Sequence, residues 1–190
     1  HPAVYMAEAL RLGLAIRPPH INISQQAFTL TWEDERAILW LGLGAVRDLR
    51  RSAIKAIKNA RADGPFSGLR DLMQRVDLQH KEARHLIQCG ALDGLGPGRT
   101  AHLAELEHIE RAGSALQMAL FEPPAPDTSQ PGESLAQRIA WEEHLLGYPL
   151  TTLLDPLALL GEHIPEHTPL EQLPQTAGRI VTAAGVRLPS

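Results

Sequence analysis

The chain has 190 residues, with 18 Lys and Arg against 22 Asp and Glu, a net charge of −4, and 44% hydrophobic but only 4% aromatic residues. That length can bury one substantial core or two small ones, and the negative balance excludes attraction to nucleic acid over the whole surface. No apolar run approaches the roughly 20 residues that cross a bilayer, and the single cysteine, Cys89, excludes an internal disulfide and fits a reducing compartment. The apolar weight lies in Leu, Ala and Ile, which predicts a mainly helical body. The start at His1-Pro2-Ala3 has no leader pattern and no initiator Met, and the chain ends at Arg187-Leu188-Pro189-Ser190 within a strand-like run, so it reads as a piece of a longer protein.

In chain order, Val4 to Leu14 predicts a helix closed by Gly13, followed by a turn toward Pro18-Pro19. Ala27 to Trp32 and Ala37 to Leu41 predict two strands, with Phe28, Leu30 and Trp32 on one side, joined in a hairpin by the four-residue loop Glu33-Asp34-Glu35-Arg36. Gly42 and Gly44 end the apolar run. Ala53, Ile54, Ile57 and Ala60 are spaced for a helix from Ser52 to Arg61, which Gly64-Pro65 breaks. Leu69 to Val76 and Lys81 to Gln88 predict two short helices joined through Asp77, a helix-capping residue type. A glycine-dense turn, Cys89 to Gly98, then opens a longer helix from Thr100 to about Leu116, with an apolar stripe at Leu103, Leu106 and Ile109. Glu122 to Glu133 is polar, proline-rich and read as disordered. Ser134 to Leu146 predicts an amphipathic helix with Leu135, Ile139, Leu145 and Leu146 inward and Trp141 near the stripe. Pro149, Pro156, Pro165, Pro169 and Pro174 keep the chain mostly irregular, and Gly178 to Arg187 is strand-like, read as the first strand of a β domain.

Two stretches, Leu41 to Arg61 and Lys81 to about Leu116, each read as a short helix, a tight turn and a longer helix. Tandem helix–hairpin–helix units present backbone N–H groups at the starts of their second helices, where the helix dipole favours an anion. Charge is uneven here: Arg47, Arg50, Arg51, Lys55, Lys58 and Arg61 face a single acid, Asp48. In the first turn Asp48 is a candidate cap, whereas Arg50 and Arg51 oppose the dipole unless a phosphate or carboxylate sits there. Phosphate contact by Arg47, Arg50, Arg51 and Lys55 is one reading of that placement; a solvated basic face is the other. The second turn offers Gly94 and Gly96, with Gly90, Gly98 and Arg99 beside them, for close backbone approach to DNA. Glycine also simply ends helices, and Asp93 would repel phosphate.

No catalytic constellation emerges. The nearest metal patterns, His85 with Cys89 and His163 with His167, lack the three or four ligands of a zinc site. Neither a dinucleotide fingerprint nor a Walker motif is completed by the glycines. At the end of the longer helix, Gln117-Met118-Ala119-Leu120-Phe121 places three large apolar groups just before Glu122-Pro123-Pro124-Ala125-Pro126, which cannot continue a helix. Such a segment either folds onto the body as a last turn or is offered to a partner.

These residues resemble, in order, the part of the bacterial DNA polymerase III alpha subunit, the family C polymerases, that follows the catalytic palm. The resemblance runs through Pro18-Pro19-His20-Ile21-Asn22-Ile23-Ser24, Leu41-Gly42-Leu43-Gly44-Ala45-Val46 and Gly64-Pro65-Phe66-Ser67-Gly68-Leu69. It continues at Leu86-Ile87-Gln88-Cys89-Gly90-Ala91-Leu92-Asp93 and Ala140-Trp141-Glu142-Glu143-His144-Leu145-Leu146-Gly147. It departs at Arg47-Asp48-Leu49-Arg50, where the family's first hairpin usually reads KGVG, and at Leu153-Leu154-Asp155-Pro156-Leu157, where it reads SGHPL. The resemblance implies a mainly α fold: an end-of-fingers region with a β-hairpin (1–41), tandem helix–hairpin–helix units (42–116), and a clamp-binding peptide with its linker (117–133). A helix with an irregular connector (134–177) and the truncated first strand of an OB fold (178–190) complete it. It further implies binding to the duplex DNA backbone and docking on the sliding clamp through Gln117, Met118, Leu120 and Phe121, with other replisome subunits as further partners. This chain would hold no cofactor, Mg2+ serving nucleotidyl transfer elsewhere in a parent polymerase of the bacterial cytoplasm and nucleoid. A non-enzymatic helix–hairpin–helix scaffold that binds other replication or repair proteins is the competing reading.

Overall fold

The computed structural model describes residues 2–115, 132–154, 166–168 and 170–183. The chain opens with α1 (Pro2–Arg11) and a three-residue strand, β1 (Ala15–Arg17), followed after a loop by β2 (Thr29–Glu33) and β3 (Arg36–Trp40). A 3-10 turn (Leu43–Ala45) leads into α2 (Arg51–Ala62), α3 (Leu69–Arg75), α4 (His80–Gln88) and the long α5 (Arg99–Ala115). Later come α6 (Leu135–Leu146), α7 (Leu150–Leu154) and a second 3-10 segment (Leu170–Thr176). The architecture is thus mainly α with a small sheet, as the composition predicts.

The sheet has the order β1-β3-β2, β1 running parallel and β2 antiparallel to β3. The hairpin differs from the predicted one in its turn. Glu33 pairs with Arg36, so the connection is two residues, not four, with Asp34 and Glu35 both left-handed at φ 45° and 66°. A two-residue turn of that hand matches the natural twist of the strands, which a looser loop would not enforce. Strand β1 escapes sequence reading because three residues between Gly13 and Pro18 cannot display alternation. Phe28, Leu30 and Trp32 remain at least half exposed.

The glycines after β3 have a packing reason. A β-carbon at Gly42 would stand 2.4 Å from the Gln26 carbonyl oxygen, because the turn is pinned to the preceding loop by the Leu43 N–H to Gln25 and Gly44 N–H to Gln26 bonds at 2.8 and 2.9 Å. The core then forms beneath the helices: Ile54 and Ile57 of α2, Leu69 and Leu72 of α3, Leu86 and Ile87 of α4, and Leu106 of α5 are buried with Leu41, Leu43 and Phe66. Leu145, Leu146, Tyr148 and Leu150 join the same core, which seats α6 against α4. Polar ties fix the N-terminal segment to it. The Asn22 amide bonds to both the carbonyl and the N–H of Phe66, and Arg61 donates to the carbonyls of Ile21 and Ser24. Arg75 lies over the Phe66 ring, its centre 4.5 Å away, and donates to the carbonyls of Ala60 and Gly64.

The irregular stretch predicted after α6 is partly helical. Pro149 precedes α7 where its missing N–H costs nothing, and the buried Glu142 carboxylate accepts from both the N–H and the hydroxyl of Thr151 at 2.6 Å. Conversely, the strand predicted from Gly178 has no strand partner over its described part, 178–183, and Ile180 is fully exposed there. Without a neighbouring ladder, a β-rich sequence has nothing to hold it as a strand.

The left-handed Glu35 generates a prediction. Replacing it with glycine removes a side chain from a backbone region that favours glycine. Thermal unfolding of Glu35→Gly should shift upward, by roughly 2–4 °C for a gain of about 1 kcal/mol.

Candidate nucleic-acid interface

The first hairpin is organised around a carboxylate. Arg50 is the N-cap of α2, with extended backbone and no capping side chain of its own, so the first turn needs an acceptor from elsewhere. Glu82 of α4 supplies it. One carboxylate oxygen accepts the Arg50 N–H at 3.0 Å and the guanidinium Nε at 2.8 Å. The other accepts Arg50 Nη2 at 2.8 Å and the N–H of Gln79, the N-cap of α4, at 2.9 Å. Glu82 is 1% exposed. Burial alone would raise its pKa, but the Arg50 guanidinium and the N–H groups of Arg50 and Gln79 outweigh that and hold it below the ordinary glutamate value.

Asp48 is not the cap that its position predicts. It occupies a left-handed conformation, φ 59°, and pairs with Lys81 Nζ at 2.8 Å, which lowers its pKa. Here the chain has an aspartate where the resembling family has glycine, and Lys81 compensates for the strain of that residue at positive φ.

The predicted DNA-contact residues divide into two groups. Arg47, Arg51 and Lys55 are exposed, as is the neighbouring Lys58, and none of these four has an ion-pair partner among the described residues. Arg51, Lys55 and Lys58 fall at helical spacing on the face of α2 away from the buried Ala53, Ile54 and Ile57. Arg47 projects from a fixed backbone: its N–H donates to the Leu145 carbonyl at 2.9 Å and its carbonyl meets His85 Nδ1 at 2.7 Å.

Arg50 and Arg99 belong to the other group: each is paired with a carboxylate, and for Arg50 this is the carboxylate alternative to phosphate. Arg50 is committed to Glu82. Arg99 opens α5 with only 5% of its surface exposed, forking onto Asp93 through Nε at 3.0 Å and Nη2 at 2.6 Å. It also donates to the Gln88 carbonyl at 3.1 Å and lies 3.8 Å from Glu133. Burial works against its charge, while Asp93, with Glu133 and Glu142, more than restores it. Chain position alone does not tell a phosphate partner from a carboxylate one: Glu82 is 32 residues from Arg50, and Asp93, only six from Arg99, carries no spacing that marks it as a partner. Glu82 does leave a sequence signal: glutamate three residues into α4 is the capping-box position relative to Gln79.

In the second hairpin, Gly94 and Gly96 are both exposed, which leaves the loop backbone open to a ligand. A β-carbon at Gly96 would stand 2.6 Å from the buried His102 ring, so glycine is required there by close packing. The clamp-binding candidates Gln117, Met118, Leu120 and Phe121 lie outside the described residues. Among the described residues no group of three or more His, Cys, Asp or Glu is placed to hold a metal, and no helix is long and apolar enough to cross a membrane. The Cys89 thiol is buried, and burial pushes its pKa up to about 12, which removes it as a nucleophile at neutral pH.

The family described as helix-hairpin-helix motif matches residues 13–102. The DNA polymerase III subunit alpha of Helicobacter pylori is 38% identical over 126 residues, which are 62% of this chain and 10% of that protein. The same subunit from Haemophilus influenzae is 39% identical over 109 residues, 55% of this chain and 9% of the relative. An error-prone DNA polymerase from an Anaeromyxobacter species is 33% identical over 189 residues, 93% of this chain and 16% of the relative. The chain therefore matches a limited segment of each relative's length.

Two predictions test this sorting of charges. Arg99→Ala removes a buried guanidinium and its bonds to Asp93 and to the Gln88 carbonyl and should lower stability by about 1–3 kcal/mol in urea unfolding, whereas Arg51→Ala should leave the unfolding midpoint unchanged. The second concerns acid. A carboxylate with a folded pKa below its unfolded value stabilises fully above the ordinary glutamate range and loses that contribution as pH falls through the folded value. Glu82→Gln should therefore unfold with a flatter acid limb than the unmodified chain when midpoints are followed downward from pH 5 or so.

Proposed function

We propose, from the chain's correspondence to a helix–hairpin–helix-bearing segment of the bacterial DNA polymerase III alpha and error-prone DNA polymerase family, that it holds duplex DNA through the phosphate backbone and tethers the polymerase to its sliding clamp. The observation that carries the DNA reading is the set of exposed cations without an ion-pair partner among the described residues, Arg51, Lys55 and Lys58 on one face of α2 and Arg47 on the turn before it, while Arg50 and Arg99 are committed to Glu82 and Asp93. A cluster of that kind attracts phosphate even on a chain of net negative charge, because the field that matters is local within about 8–10 Å at physiological salt. The exposed loop at Gly94 and Gly96 supports a second backbone contact, from N–H groups at the start of α5. None of these groups reads base edges, so the contact is sequence-independent.

Clamp docking is assigned to Gln117, Met118, Leu120 and Phe121. The glutamine amide suits hydrogen bonding at a pocket mouth and the apolar side chains suit a groove. On either side of it along the chain, α5 is packed into the core at Leu106 and Glu133 is paired with Arg138 at 2.6 Å beside Arg99. Nucleotidyl transfer and its Mg2+ are assigned to other parts of such a polymerase, in the bacterial cytoplasm at the nucleoid.

The DNA reading is tested by titrating a fluorescent duplex at several salt concentrations. Replacing Arg47, Arg51 and Lys55 together by alanine should weaken binding in low salt and reduce the slope of log affinity against log salt by roughly 0.9 per lost phosphate contact. Failure of the unmodified chain to bind any duplex, regardless of salt, would favour a protein-binding scaffold instead. For docking, a bacterial sliding clamp titrated against Leu120→Ala/Phe121→Ala should show binding lost; equal affinity for both proteins would exclude the assignment.

A further inference from the structure

The N-terminus of α2, in the first of the two hairpins, already holds an anion. Glu82 makes there the contacts that a DNA phosphate would make: it accepts the first free N–H of the helix, at 3.0 Å, and a bidentate pair of bonds from Arg50, both at 2.8 Å. The carboxylate is almost wholly buried, whereas the Arg50 side chain keeps 42% of its surface in solvent. The cation thus sits at the surface, drawn inward by a charge beneath it. Around it, Arg47 and Arg51 stay exposed, and the nearest carboxylate on the hairpin itself, Asp48, is paired with Lys81. Hairpin 1 therefore has the donors of a phosphate site and an internal occupant of the opposite sign to them.

We infer that Glu82 is an affinity-setting residue: it occupies the anion position of the first hairpin, keeps Arg50 from the duplex, and so limits the chain to weaker backbone binding than its cation count would give. This rests on the duplex-binding reading above. The glutamate also keeps the hairpin ordered without DNA, because α2 and α4 share the one carboxylate as a cap. Removing its charge, while keeping an acceptor for the helix, leaves Arg50 without a counter-ion beside the other cations. A phosphate then becomes its best available partner.

The test is salt-dependent titration of a mixed-sequence fluorescent duplex with four proteins: the unmodified chain, Glu82→Gln, Arg50→Ala and the double variant, each checked by circular dichroism. Glu82→Gln should bind roughly 3–10-fold more tightly in low salt, with a slope steeper by about 0.9, the value of one added phosphate contact. Arg50→Ala should leave the salt slope unchanged in the unmodified background, where Arg50 meets no phosphate, and abolish the added slope of about 0.9 in the Glu82→Gln background. If Glu82→Gln keeps its fold and binds no more tightly, the inference is overturned. It is equally overturned if Arg50→Ala alone lowers the salt slope as much as Arg51→Ala does, a comparison that stands even where Glu82→Gln does not fold. Absence of salt-sensitive binding in all four proteins would instead overturn the duplex reading itself, and this inference with it.

Discussion

A helix N-terminus exposes unpaired N–H groups and a partial positive charge, and α2 meets that demand with a carboxylate from another helix. Much of the hairpin region follows from this one contact. Glu82 reaches α2 only because α4 lies across its start, and two neighbours on α4 reinforce the crossing. Lys81 pairs with the strained Asp48, and His85 meets the Arg47 carbonyl. Three residues of α4 thus fix three consecutive features of the first hairpin. The cations at that hairpin are then sorted by geometry: Arg50 turns inward to Glu82, and Arg47, Arg51 and Lys55 are left outward.

The second hairpin uses the same logic with the charges reversed. There the internal group is a cation, Arg99, buried at the start of α5 and held by Asp93, the Gln88 carbonyl and Glu133. An arginine at a helix N-terminus is unfavourable for the dipole, and the carboxylates around it are what make the placement tolerable. Because Glu133 belongs to the chain just before α6, Arg99 also joins the returning segment to the hairpin. The second hairpin and the start of α6 are therefore connected through one buried guanidinium.

Much of the helical layout is legible in the sequence, since Ile54, Ile57, Leu86 and Leu106 announce their burial by spacing. Periodicity carries that information because burial of one face repeats along a helix. What escapes is which carboxylate each cation meets. Arg50 and Arg99 look alike as cations beside turns, and only the fold shows that Glu82, 32 residues on, and Asp93 neutralise them. The hairpin turn escapes for a different reason: polar residues at Glu33 to Arg36 suggest a loop, yet register lets the outer two pair. The short β1 and α7 carry too few residues to show a period, and the strand-like run from Gly178 has the composition of a strand but no ladder over its described part.

On the duplex-binding reading, DNA meets Arg47, the outward cations of α2 and the open glycine loop, not the two arginines committed to Glu82 and Asp93. Titration of a mixed-sequence duplex into the nitrogen-15-labelled chain, followed by amide chemical shifts, tests it most directly. Shifts should concentrate at Arg47, Arg51, Lys55, Gly94, Leu95, Gly96 and Gly98, with the β-hairpin at Thr29 to Trp40 unmoved. Shifts centred on the β-hairpin, or none at any DNA concentration in low salt, would contradict it.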